Sequence, residues 1–191
     1  DFNATNNLKL NTLTETSVIS SYININTDMD KLNAGLAILE KVKEKYPDVI
    51  NMRDVSVAML DEMVKDRDAE VYTKTKFVVE ESERVHEACS HLKAGNLIAL
   101  GQNLLASHNG LSKEYEVSCA ESDYLVDFIK QFPEVLGARQ MGGGFGGCTI
   151  NLVKNDFVDE LIKNISPAYK AKFDKELTVI QVKTDDGTKV L

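Results

Sequence analysis

The sequence lacks any cluster of lysine and arginine: its 22 basic residues are scattered among 30 acidic ones, for a net charge of −8. That balance excludes a nucleic-acid partner reached through a basic surface. It also lacks a long apolar run and an opening signal sequence, so no membrane partner is expected. Cysteine is scarce. Cys89, Cys119 and Cys148 are odd in number and far apart, with no CxxC and no Cys/His ligand spacing. A disulfide framework and a zinc site are both excluded by that pattern. The three read as small buried apolar residues in a reducing compartment, hence a cytoplasmic setting. His86, His91 and His108 show no H-E-x-x-H logic, so no metal site made of this chain's His and Cys is expected. The first residue is Asp1 and not Met, which suggests a chain trimmed from something longer.

What is present suits a folded domain, since 43% of residues are hydrophobic and a substantial core follows. Residues 1–27 read as an extended entry, rich in Asn and Thr, that ends in a β-branched strand over 14–25. Residues 28–191 read as one domain. Thr27 and Asp30 resemble a capping box, and Met29, Leu32, Leu36, Leu39 and Val42 then recur at helical spacing up to Pro47. Further helices are expected at 56–64, 69–93 and about 97–109. In the second of these, Val71, Thr75, Val78, Val85, Cys89 and Leu92 form one broad inward face. The acidic run 80–83 reads as a solvated helix face. Gly95 suits a left-handed helix cap. Ser118 with Glu121 forms a second capping box, opening a helix over 119–132 that Pro133 stops. Strands are expected at 135–140 and 148–153, a helix at 155–165 and a last strand at 175–183. The layout gives an α+β class: a ferredoxin-like, mainly antiparallel sheet with helices on one face, plus additional N-terminal helices.

Between two of those strands runs Gly-Gly-Gly-Phe-Gly-Gly, residues 142–147. A two-residue turn would join the strands. The extra glycines permit positive φ and let backbone approach another surface closely, and consecutive amides can form an anion-binding concavity. The plainer account is a crowded hairpin in which two backbones pack tightly. The spacing matches neither a Walker loop nor a dinucleotide fingerprint, so spacing alone leaves both open.

The wider stretch RQMGGGFGGCTINLV (139–153) resembles the third signature of the galactokinase, homoserine kinase, mevalonate kinase and phosphomevalonate kinase superfamily. More narrowly it resembles the galactokinases, whose version reads R-M-T-G-G-G-F-G-G-C-T. ASHNGLSKEYEVSCAESDYLV (106–126), MRDVSVAMLDEM (52–63), FVVEESERVHEACSHLKAGN (77–96) and the final DGTKVL resemble further galactokinase blocks, in order. The resemblance runs from about residue 31 to 191. It implies a phosphotransferase that moves the γ-phosphoryl of MgATP to the 1-hydroxyl of galactose. It implies a carboxy-terminal half only, because no block like the phosphate loop or the one bearing the catalytic Asp is found. No catalytic residue is therefore assigned, the chain is expected to be inactive alone with neither ATP nor Mg²⁺ bound, and its partner is its own missing N-terminal domain.

By the same resemblance, Gly142, Gly143, Gly144, Phe145, Gly146 and Gly147 line a cleft between halves and support the phosphate loop. Gln140 and Met141 replace the usual Met-Thr. Tyr22 is a candidate sugar contact. Alignment back from 34–39, however, puts Ile25 at the family's Tyr position and Asp28 and Met29 at an Arg pair. That departure keeps open a galactose- and ATP-binding sensor on the same scaffold, or an N-acetylgalactosamine kinase. His108 is read as a substrate contact or as a helix-end residue satisfying carbonyls. Arg139 is read as pairing with a carboxylate or phosphate, and Tyr115 and Cys119 as packing residues.

Overall fold

The computed structural model describes residues 8–13, 37–66 and 68–182. The Thr27/Asp30 capping box, the strand expected over 14–25, Tyr22 and the closing DGTKVL lie outside the described residues.

Four strands form one sheet: β1 (Leu8–Leu13), β2 (Val135–Met141), β3 (Cys148–Lys154) and β4 (Val179–Val182). Their order is β2-β3-β1-β4 and every pairing is antiparallel. With helices in both crossovers this is the ferredoxin-like arrangement expected from the sequence. Part of the entry segment is thus built into the sheet. β1 lies between β3 and β4, with Asn11 opposite Asn151 on one side and Gln181 on the other.

The helices are α1 (residues 37–45), α2 (Val57–Met63), α3 (Ala69–Lys93), α4 (Leu97–Lys113), α5 (Ala120–Ile129) and α6 (Val158–Phe173). Local chemistry explains most boundaries. Pro47 lies in the turn just after α1. The Ser56 hydroxyl accepts from Met59 N–H at the start of α2, and Asp68 does the same for Glu70 and Val71 at the start of α3. Gly95, at φ +67°, closes α3 in the left-handed conformation.

Two core regions result. On one face of the sheet, Leu125, Val126 and Ile129 of α5 and Leu161, Ile165 and Tyr169 of α6 pack on Val135, Ala138 and Val153. Each fully buried branched side chain there contributes about 2 kcal/mol. Leu152 alternates to the opposite face and meets Leu97 and Leu100 of α4. A separate helical cluster joins Ile38, Leu39, Val42, Leu60 and Val79.

Three expectations need correction. Val85 and Leu92 of α3 are 60% and 42% exposed, and Cys89 is at the surface, while Cys119 and Cys148 are only partly buried. The far half of α3 outruns the cover of α1 and α2 and meets α4 through a different side, where Glu87 accepts from Asn103. The Ser118/Glu121 capping box does not form. Cys119 takes the N-cap position without a side-chain cap, Ser118 donates to Asp123, and Glu121 accepts from Lys175. Finally, α6 does not stop at residue 165 but runs through Pro167 to Phe173. Proline there removes one helix hydrogen bond. Burial of Ile165 and Tyr169 and the edge-on contact of Phe173 with Tyr124 outweigh that loss.

Helix α4 covers the outer edge of β2. A Cβ placed on Gly101 would overlap the Leu136 carbonyl, and one on Gly137 would overlap Gly101 itself, so glycine at both positions lets helix and strand backbones touch. One consequence is that an outward-facing N–H of β2, that of Gln140, is satisfied by a helix side chain, His108.

Candidate functional site

The turn from β2 to β3 occupies 142–147. Gly142, Gly144, Gly146 and Gly147 have φ of +93°, +98°, +137° and +99°, and Phe145 has +59°. Side chains rarely tolerate such values, which accounts for four of the five glycines but not for Gly143. The turn has an open and a packed side. A Cβ on Gly142 or Gly143 would meet no heavy atom of the described residues within 4 Å. One on Gly144 would lie 2.5 Å from the carbonyl oxygen and 2.8 Å from the Cβ of Val117. Phe145 is 45% exposed.

Val117 holds the packed side. It lies in the link between α4 and α5, just after Glu116, whose φ is +58°. Its carbonyl accepts from the Phe145 N–H at 2.7 Å and from Nε2 of Gln140 at 3.3 Å. One carbonyl thus ties down the turn and the end of the strand leading into it, using both lone pairs.

Beneath that strand, His108 is buried. Its Nδ1 accepts the Gln140 backbone N–H at 3.1 Å. Its Nε2 lies 3.2 Å from Oδ1 of Asp123, without good hydrogen-bond alignment. Asp123 also accepts from Ser112 at 2.9 Å and Ser118 at 2.6 Å. Burial pushes the His108 imidazole below the ordinary histidine value, outweighing the Asp123 carboxylate that favours the charged form. His108 therefore bonds a backbone N–H of a strand and not the carbonyls of its own helix end.

On the other side of β2, Arg139 donates through Nε to the Gln140 carbonyl at 2.9 Å, and its Nη1 stands 3.7 Å from Glu81. Glu81 also accepts from Arg84 at 2.5 Å and from Ser107 at 2.7 Å. The run 80–83 is therefore not wholly a solvated face, since Glu81 joins α3, α4 and β2. Tyr115 stacks at 5.5 Å on Phe77, as a packing residue should. A groove of about 790 Å³ lies between residues 53–56 and α3, but none of its lining residues belongs to the glycine turn. Among the described residues no group of three or more His, Cys, Asp or Glu could hold a metal ion, and no helix is long and apolar enough to cross a membrane.

Residues 86–170 match the family model described as GHMP kinases C terminal, and the match contains the turn, Val117 and His108. That stretch is similar to the carboxy-terminal domain of the GHMP kinases. The chain is 41% identical over 114 residues to a galactokinase of Thermotoga neapolitana, covering 60% of this chain and 33% of that protein. It is 39% identical over 129 residues to a galactokinase of Clostridium perfringens, covering 66% of this chain and 33% of the relative. The chain thus spans about a third of the length of the curated relatives it matches. The fold also matches the crystal structure of Lactococcus lactis galactokinase complexed with galactose. That likeness has a TM-score of 0.80 at 24% identity and covers 93% of this chain and 45% of that one.

Sequence reasoning missed Val117 and the contact of His108 with β2. Val117 acts through its backbone carbonyl, which no side-chain pattern reveals. For His108 the signal was present: a histidine among the apolar positions of α4, with Asp123 and two serines downstream to receive it.

Proposed function

We propose that this domain is the carboxy-terminal wall of a sugar kinase that transfers the γ-phosphoryl of MgATP to the 1-hydroxyl of galactose. Residues 28–191, with the strand Leu8–Leu13, make up that wall. The phosphate loop, the catalytic carboxylate and the carboxylates for Mg²⁺ belong to the partner domain, so the chain alone is inactive. Phosphoryl transfer depends on positioning and charge stabilisation more than on covalent chemistry. The contribution of this half is then steric: a bare backbone surface at 142–147 against which the nucleotide-holding segment rests. The observation that carries the reading is the open side of the turn, where Gly142 and Gly143 have empty space in front of them while Gly144 is held from behind. The names of the relatives supply the substrate. The reading also sets the protein in the cytoplasm, where the surface thiol of Cys89 stays reduced.

The test is turnover by the intact polypeptide. With ATP, Mg²⁺ and galactose it is expected to release ADP and galactose 1-phosphate, and this chain alone is expected to release neither. Sugar binding without ADP release identifies the sensor instead. Turnover confined to N-acetylgalactosamine reassigns the sugar.

A further inference from the structure

Three features outside the turn stand out: the groove beside α3, the Glu81 ion-pair cluster and the buried His108. Neither of the first two carries a feature that identifies an occupant. His108 does act on the turn. We propose that His108 is a positioning residue: by accepting the Gln140 N–H it fixes the end of β2 from which the glycine turn departs, while its other ring nitrogen faces Asp123. Only the purpose of the turn rests on the kinase reading. The hydrogen bonding does not.

The tautomer follows from chemistry. A backbone N–H can only donate, so the ring nitrogen 3.1 Å from Gln140 N carries no proton. In the neutral ring the proton then sits on Nε2, which faces Asp123 at 3.2 Å. The strand gains a partner for an N–H that β3 does not reach, and Gln140 is locked at 1% exposure. From there its side chain reaches the Val117 carbonyl that also holds Phe145. The path from His108 to the turn is therefore three hydrogen bonds long. Protonation at Nδ1 would break the first step. The charged groups facing the imidazole are Lys113 on α4, Asp123 and Asp127 on α5 and Lys130 at its C-cap, and β2 presents the Gln140 amide.

Two near-isosteric variants separate this role from space filling. His108→Asn keeps an acceptor near the Nδ1 position and loses the group facing Asp123. His108→Gln keeps a donor near Nε2 and loses the acceptor. Amide hydrogen exchange is read at Gln140 and Phe145 in this chain, alongside ¹⁵N shifts of the wild-type imidazole. The expected result is exchange about tenfold faster at both amides in His108→Gln and near wild type in His108→Asn. The wild-type ring is expected as the Nε2–H tautomer, and acidification is expected to lower protection at Gln140, measured against the intrinsic exchange rate at each pH, in wild type but not in His108→Asn. Equal behaviour of the two variants, or an Nδ1–H tautomer, overturns the proposal. If either variant fails to fold, the wild-type tautomer and its pH-dependent exchange still decide. In the intact enzyme the same order is expected in the KM for MgATP. A matching exchange pattern in a protein without kinase activity would overturn the kinase reading and leave the role of His108 standing.

Discussion

The two sides of the glycine turn share a composition but not a reason for it. On the packed side, Gly144 is glycine because Val117 leaves no room and φ is +98°. On the open side, nothing in the described residues crowds Gly143, and its φ is not positive. The first is accounted for by the domain's own folding. The second is not accounted for by packing among the described residues. A glycine run is thus two statements in one, and substitution can separate them.

The largest effect belongs to the packed side. Gly144→Ala combines a strained backbone with overlap at the Val117 carbonyl and is expected to cost about 3 kcal/mol or more, read by urea denaturation. Should it cost under about 1 kcal/mol, the clamp at Val117 does not govern the turn. Next comes Gly142→Ala, which meets no atoms but must adopt φ +93°, and is expected to cost about 1–2 kcal/mol in the same assay. A gentler effect sharpens the packed side through pH. The folded His108 imidazole titrates below its unfolded value, so its contribution to stability is whole above about pH 6.5 and is lost as pH falls. Melting temperature should drop on acidification from there, and the drop should shrink in His108→Asn. The smallest effect on folding is that of Gly143→Ala, within about 0.5 kcal/mol. In the intact protein the same change is expected to raise the KM for MgATP. A variant neutral in both assays would return the open side to simple hairpin geometry.

Much of this was legible in the sequence where the cause is local. Ser56, Pro47 and Gly95 mark helix ends by chemistry that acts within one turn, and the Gly run announced positive φ before any coordinates. Legibility failed where the cause is distant. Pro167 looks like a stop until Phe173 is known to pack on Tyr124. Ser118 and Glu121 have capping-box spacing, yet Asp123 and Lys175 claim their side chains. The stripe from Val85 to Leu92 has core periodicity but no neighbour in the described residues to bury it. At the site, the glycines could be read, while the carbonyl that anchors them could not.

Helix α4 lying on β2 leaves the sheet asymmetric in its capacity to grow. Along β2 the Gly101–Gly137 contact and His108 block the approach of a foreign strand. Among the described residues the other border is β4, four residues long with Ile180 44% exposed. Aggregation that propagates by strand addition would recruit new chains through β4, and with the opposite border capped each recruit could template in one direction only.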